Sequence, residues 1–301
     1  MKAPQPIPYQ GSKRALAPLI LRYFPNNSTR IVEPFAGSGA ISVASALRNK
    51  AQSYWLNDLN KPLIDLIQEI VENPESISKK YSKIWNKQLG NEREYYKEIR
   101  ARFNKTNKPD DFLFILARCV KGAVRYNSKG EFNQSPDNRR KGKRPRNMEK
   151  EIFQFSNLLK DKTIFSSYDF KEVLNMVDQE DLVYMDPPYQ GTSNKKDSRY
   201  LAGLQFNEFV ESLEDLNMNE ISYIISYDGK LGNKSYGDVL PEFLNLKQIL
   251  IEVGRSTTST LLGNDEITYE SLYLSPALIN RIEITPEKTV ALKSSGQLQL
   301  L

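Results

Sequence analysis

The chain has 301 residues, 39% of them hydrophobic and 26% charged, with a net charge of +5. That length accommodates a sizeable core and one large domain carrying an insertion. There is no histidine and a single cysteine, Cys119, which removes histidine-based triads, histidine general bases, most zinc sites and any internal disulfide. Cys119 lies in an apolar helical pattern and is expected in the core. Prolines 4, 6 and 8 interrupt the N-terminus, so no signal peptide is expected there, and no run reaches membrane-span length. The chain is therefore expected to work in the cell interior, in the cytoplasm. The modest basic excess suits a polyanionic partner.

Residues 1–8 read as an extended tail. Pro8-Tyr9-Gln10-Gly11-Ser12-Lys13-Arg14 then forms a small-residue turn before a helical pattern through Leu16, Leu19, Ile20 and Tyr23. Such a turn offers backbone N–H groups to an anionic ligand, with Lys13 adding charge, and it equally suits an ordinary N-cap by Ser12. A short β-branched strand, Ile31-Val32, runs into Glu33-Pro34-Phe35-Ala36-Gly37-Ser38-Gly39, and a helix follows from Ala40 to about Leu47. Gly37 and Gly39 permit positive φ and close backbone approach. The next strand, Tyr54-Trp55-Leu56-Asn57, ends at Asp58, 19 positions after Gly39. An acid about 20 residues past a Gly-rich loop commonly binds ribose hydroxyls, so this unit predicts a nucleoside site.

From Pro62 to about Phe155 helical periodicity dominates, which predicts a mostly helical insertion. Within it, Arg125-Tyr126-Asn127-Ser128-Lys129-Gly130-Glu131-Phe132-Asn133 reads as a β-hairpin. Arg139, Arg140, Lys141, Lys143, Arg144 and Arg146 then put six basic residues into eight positions. A charge run of this kind is either a solvated loop or a phosphate-contacting surface.

The sheet resumes at 163–168 with Asp169 and Phe170 at its end. Leu182-Val183-Tyr184-Met185 predicts a buried parallel strand that stops at Asp186. Pro187 and Pro188 cannot continue a ladder, so the chain turns stiffly into Tyr189. Asp186 and the Pro187 carbonyl can accept the two N–H bonds of an exocyclic amine while Tyr189 stacks on the ring, a preorganised arrangement that needs no metal. A plain strand and proline turn is the alternative. A polar loop is expected over 190–204, then a helix near 207–216 and a strand 222–227 ending at Asp228. Strands at 246–253 and 269–274 follow, joined through the polar run 255–260, and the last twenty or so residues read as loosely ordered.

Taken in order, Tyr9-Gln-Gly-Ser-Lys13, Glu33-Pro-Phe-Ala-Gly-Ser-Gly39, Asn57-Asp58, the 126–133 segment, Asp169-Phe170 and Asp186-Pro-Pro-Tyr189 resemble the Dam-type adenine-specific DNA methyltransferases in their alpha arrangement. Tyr9 stands where that family usually has Trp, and Ser12 where it has Gly. The resemblance implies an α/β fold: a Rossmann-like AdoMet-dependent methyltransferase sheet with a mostly helical DNA-recognition insertion carrying a β-hairpin. The catalytic domain would comprise residues 1–61 and 159–301, and the recognition insertion 62–158. S-adenosyl-L-methionine would be held by Tyr9, Lys13, Glu33, Pro34, Phe35, Ala36, Gly37, Ser38, Gly39, Asp58, Asp169, Phe170 and Asp186. Asp186, Pro187, Pro188 and Tyr189 would hold a flipped adenine. Double-stranded DNA would meet Arg125, Tyr126, Asn127, Lys129, Asn133 and the basic run 139–146. The resemblance further implies no metal, a prokaryotic or phage-encoded setting, and a functional pairing with a restriction endonuclease, with a solitary housekeeping role as the open alternative. A cytosine amino methyltransferase and a catalytically silent DNA-binding regulator remain open alternatives.

Overall fold

The computed structural model describes residues 2–26, 28–188, 205–231, 234–236, 239–255 and 267–283. Tyr189, the loop expected over 190–204, the polar run 256–260, the side chains of Asp228 and Arg255, and residues 284–301 lie outside it.

Eight strands form one sheet: β1 (Ser28–Glu33), β2 (Ala51–Asn57), β3 (Thr163–Ser166), β4 (Asp181–Met185), β5 (Ser222–Leu231), β6 (Lys234–Tyr236), β7 (Lys247–Arg255) and β8 (Ile267–Leu274). The order is β3-β2-β1-β4-β5-β8-β7, with β6 beside β5. Strands β1 to β5 pair with one another in parallel, and β8 enters antiparallel between β5 and β7. All five residues of β4 are buried, because an apolar strand with no polar face needs cover on both sides.

That cover comes as two helical layers. On one face Ile31, Tyr54, Leu56, Leu182 and Tyr184 pack with short helix α1 (Ala17–Ile20), α2 (Ala40–Ala46) and the helical region. On the other, Val32, Val183, Met185 and Ile225 pack under α8 (Phe170–Leu174) and α9 (Phe206–Met218). The helical region comprises α3 (Lys61–Glu72), α4 (Pro74–Lys87), α5 (Glu92–Thr106), α6 (Pro109–Arg118) and α7 (Pro145–Leu159). Leu63, Leu66, Ile67 and Ile70 of α3 are buried, as their helical spacing predicts. One continuous buried cluster joins these helices to the sheet.

Several expectations are corrected. Residues 2–8 do not form a free tail: Ile7 is buried, Arg14 binds the Ala3 carbonyl, and Lys143 binds the Gln5 carbonyl at 2.7 Å. The first helix is broken into α1 between two 3-10 turns. The helical pattern starting at Phe112, which by its apolar spacing continues to Val124, stops at Arg118 because Cys119 takes extended backbone and Lys121 and Gly122 then take positive φ. The hairpin is reduced to one antiparallel bridge, Tyr126 opposite Phe132. Its ladder consists of the Asn127 N–H on the Glu131 carbonyl at 2.9 Å and the Asn133 N–H on the Arg125 carbonyl at 3.0 Å, and side chains add to it: Asn104 binds both the N–H and the carbonyl of Phe132, and Asn127 Oδ1 accepts from the N–H groups of Lys129 and Glu131. A last helix, α10 (Pro276–Glu283), closes the described chain.

Arg30 on β1 makes a two-pronged ion pair with Asp181 on β4, at 2.8 and 2.6 Å, and Asp181 is 2% exposed. Asp181→Ala strands the Arg30 guanidinium and is expected to cost about 3 kcal/mol, near the lower end for a broken buried pair because Arg30 keeps some solvent. Urea unfolding checks this as a lower midpoint at unchanged slope.

Candidate active site

The strand order reverses between β1 and β4, and the register Arg30↔Asp181, Ile31↔Leu182, Val32↔Val183 sets their ends side by side. Ligands of open α/β sheets occupy the crevice at that reversal. A cavity of about 470 Å³ lies there, walled by the loops after β1 and β4, the Tyr9–Lys13 turn, Asp58 after β2, and Asp169–Phe170 after β3.

The loop after β1 is fixed from below. Asn57, fully buried at the end of β2, donates to the carbonyls of Pro34 and Tyr168, each at 3.0 Å. Its oxygen accepts from the Ser166 hydroxyl and the Tyr168 N–H. Asp58 accepts from the Gly37 and Asn60 N–H groups, both at 2.9 Å, and burial raises its pKa against those bonds. Gly37 has φ +52, and a Cβ there would stand 3.1 Å from the Tyr9 ring. Asp169 caps α8 through the Lys171 N–H at 3.0 Å, and Phe170 packs on Phe35 with ring centroids 5.4 Å apart.

The floor is ionic. Lys13, 9% exposed, places Nζ 3.2 Å from Asp186 Oδ1 and 2.5 Å from Glu270 Oε1. Burial alone would lower the Lys13 pKa, but Asp186 and Glu270 outweigh it and raise the value, so the ammonium stays charged. Burial pushes Asp186 up to about 6, with Lys13 opposing and Glu270 adding. Glu33 is 2% exposed and accepts from the Ser42 N–H at 2.7 Å, and burial pushes it up to about 7.

The structure thus brings to one cavity Tyr9, Lys13, Glu33, Pro34, Phe35, Ala36, Gly37, Ser38, Asp58, Asp169, Phe170, Asp186, Pro187 and Pro188, all singled out in the sequence. Gly39 stands just behind, at φ +65 before α2. Sequence reasoning missed Glu270, Ser226, Asn57 as a brace, and Asn60. Only Asn57 carried a signal, a polar residue closing an apolar strand.

The residues expected at DNA are divided. Tyr126 is buried, lines the cavity and donates to Asn60 Oδ1 at 3.1 Å. Asn127 spends its side chain within its own turn. Lys143 is turned inward to Glu151 and the Gln5 carbonyl. By contrast Arg125, Lys129, Asn133, Arg139, Arg140, Lys141, Arg144 and Arg146 are exposed. The basic loop is clamped from beneath by buried side chains on its carbonyls: Arg118 on Arg140, Gln88 on Lys141 and Tyr81 on Lys143.

Residues 9–249 match the model of the D12 class N6 adenine-specific DNA methyltransferases. The chain belongs to this family. It is 33% identical over 190 residues to the retron Ec67 DNA adenine methylase of Escherichia coli, covering 61% of this chain and 63% of that one, just under two thirds of its length. It is 28% identical to a DNA adenine methylase of Haemophilus influenzae over 76% of this chain and 81% of that one. A type II methyltransferase of Lactococcus lactis subsp. cremoris is 30% identical over 60% of this chain and 64% of its own length. The D12 family match takes in every cavity segment from Tyr9 to Glu208 and stops before β8, leaving Glu270 outside it.

Glu33 gives a test of the site's electrostatics. Its carboxyl titrates near 4.5 unfolded and about 7 folded, so the folded state holds the extra proton and stability from this group falls as pH rises through that window. Glu33→Gln keeps an acceptor for Ser42. It is expected to raise stability at about pH 8 by up to about 3 kcal/mol and to be near neutral at about pH 4, read by denaturant unfolding at the two pH values.

Proposed function

We propose that the protein methylates the exocyclic amino nitrogen of adenine in a specific sequence of double-stranded DNA, using S-adenosyl-L-methionine. The observation that carries this reading is the Asp186-Pro187-Pro188 turn opening into a cavity lined also by the Gly-rich loop and Asp58.

The cavity suits AdoMet. Its carboxylates (Glu33, Asp58, Asp169 and Asp186) match a ligand with an ammonium, a sulfonium and two ribose hydroxyls. Gln10 Oε1 is buried without a hydrogen-bond partner among the described residues and is available to a ligand N–H. Asp58, oriented by two backbone N–H groups, keeps lone pairs for the ribose. Phe35 and Phe170 offer apolar surface to the adenine. Lys13 stands beside Asp186, and the Tyr9 ring lies against Gly37 of the Gly-rich loop. Bound there, AdoMet supplies an electrophilic methyl group.

The remaining work falls to this chain. An adenine amine stacked in a duplex cannot reach a buried cavity, so the base must be flipped out. Asp186 and the Pro187 carbonyl accept its two N–H bonds and localise the nitrogen lone pair. That pair would take up the methyl group while the electrons of the broken C–S bond stay on sulfur, and the amino nitrogen would give one N–H proton to solvent. Tyr189 is proposed to stack on the flipped ring. Residues 62–158 serve as the recognition region, with the clamped basic loop and Arg125, Lys129 and Asn133 on the DNA. Arg139 and Arg140 extend into solvent from their pairs with the buried Asp137 carboxylate (3.0 and 3.7 Å), which holds both guanidinium groups together at the surface where phosphate would meet them. The relatedness to a type II methyltransferase supports a role beside a restriction endonuclease. Among the described residues no helix is long and apolar enough to cross a membrane, which suits a site of action on DNA in the cell interior.

Asp186→Ala is expected to lower kcat at least about 100-fold, the scale of losing a preorganised polar contact, while duplex affinity is kept. Transfer of labelled methyl from AdoMet to a mixed duplex pool, alongside a filter-binding assay, checks both. An active Asp186→Ala protein contradicts the assignment. Replacing Arg139 and Arg140 together by Ala is expected to reduce the slope of log affinity against log salt by about 1–2. An unchanged slope removes the basic loop from the DNA interface.

A further inference from the structure

Glu270 comes to the cavity floor from β8, outside the family-matched residues 9–249. It shares a sheet face with Leu272 and Leu274, which are buried in the core, and sits opposite Gly229 of β5 and Ile251 of β7. A bulge in β5 between Ser226 and Gly229 adjusts the register beside it, a device common next to active sites. Its Oε1 accepts from the Ser226 hydroxyl at 2.7 Å and from Lys13 Nζ at 2.5 Å. Its side chain is 14% exposed, so a carboxylate has been brought to the floor and held by two donors. Lys13 is correspondingly nearer to Glu270 than to Asp186, at 2.5 against 3.2 Å.

We propose that Glu270 is a positioning residue for methyl transfer: it holds the Lys13 ammonium off Asp186, leaving the Asp186 carboxylate open to accept the incoming amino group. The role rests on the reading of Asp186 given above. An ammonium between two carboxylates divides its hydrogen bonds between them. With Glu270 neutralised, Lys13 closes on Asp186 alone and occupies the lone pairs that the base needs. The Lys13 contact then becomes inhibitory, although the positive charge itself is unchanged.

The arrangement also bears on the pH response of Asp186. The titratable groups facing it among the described residues are Lys13 from the turn before α1, Glu33 at the end of β1, Tyr184 on β4 and Glu270 on β8. Glu270 raises the Asp186 pKa and Lys13 lowers it. Removing the Glu270 charge takes away the like-charge neighbour and gives Lys13 wholly to Asp186. Both changes move the Asp186 titration down from about 6.

The test compares Glu270→Gln and Glu270→Asp with the unaltered protein. The first readout is the Asp186 titration by NMR of protein labelled with 13C-carboxyl aspartate, assigned with Asp186→Asn, in the absence of cofactor and DNA. The expected result is a lower midpoint in Glu270→Gln and a return toward the original in Glu270→Asp. The second is single-turnover methyl transfer against pH: an expected fall of about 10- to 100-fold in rate for Glu270→Gln, little change in KM for DNA, and an acidic limb displaced to lower pH. A thermal melt identifies any variant that has lost its fold; should Glu270→Gln have done so, Glu270→Thr, a smaller neutral residue suited to a strand, is read in its place with the same expected lower midpoint. An unmoved Asp186 midpoint, or a rate loss that follows the melt without any shift of the pH profile, overturns the proposal. If the unaltered protein methylates no DNA, the functional reading fails. The NMR midpoint still decides whether Glu270 controls the Lys13–Asp186 pair.

Discussion

The parallel pairing of β1 with β4 is the constraint on which the site depends. Three residue pairs, Arg30↔Asp181 to Val32↔Val183, put the Gly-rich loop and the Asp186-Pro187-Pro188 turn at adjacent strand ends. A slip of one residue would turn Val183 and Met185 to the opposite face and carry Asp186 out of the cavity. The Arg30–Asp181 ion pair locks this register at the far end of the strands. Asn57 locks the near end by tying the loops after β1 and β3 together. The cavity is therefore a consequence of sheet order, and its chemistry lies in the few residues that follow each strand.

Its charge is as organised as its shape. Asp186 and Glu270 close on the buried Lys13 at the floor, and Glu33 is near enough to Asp186 for the two carboxyls to interact. Burial disfavours each ionised carboxyl, and this is why Glu33 and Asp186 titrate well above the ordinary range. A cationic ligand relieves that cost, and a neutral amine entering beside Asp186 finds an acceptor already oriented. The proposed recognition region lies at a different dielectric. Its basic loop lies in solvent and is worth little as ion pairs, but buried Arg118, Gln88 and Tyr81 hold its backbone in place. A loop ordered in advance loses less entropy on meeting a phosphate backbone.

Much of this was legible in the sequence, and the exceptions have physical reasons. Strands β1, β2 and β4 were readable because each is a short run closed by an acid or an asparagine, whereas β6 (Lys234–Tyr236), with no apolar run, was not. The cavity residues were readable because the Gly-rich loop, Asp58, Asp169 and Asp186 all follow strand ends. Glu270 was not, because it sits within an alternating strand and reaches Lys13 only through the insertion of β8 between β5 and β7, a pairing 257 residues apart in the chain. Tyr126 read as a surface hairpin residue, but packing with Phe132 and the bond to Asn60 draw it inward. Lys143 was indistinguishable by composition from its exposed neighbours. Its inward turn depends on Glu151, one helical stretch away, and on the packed N-terminal segment.

The most direct measurement is single-molecule sequencing of genomic DNA from a methylation-free host expressing this chain, scored for modified bases by context. The account predicts N6-methyladenine confined to one short motif, and absent when Asp186 is replaced. Methylation of the cytosine amino group, or unmodified DNA despite abundant folded protein, would contradict it.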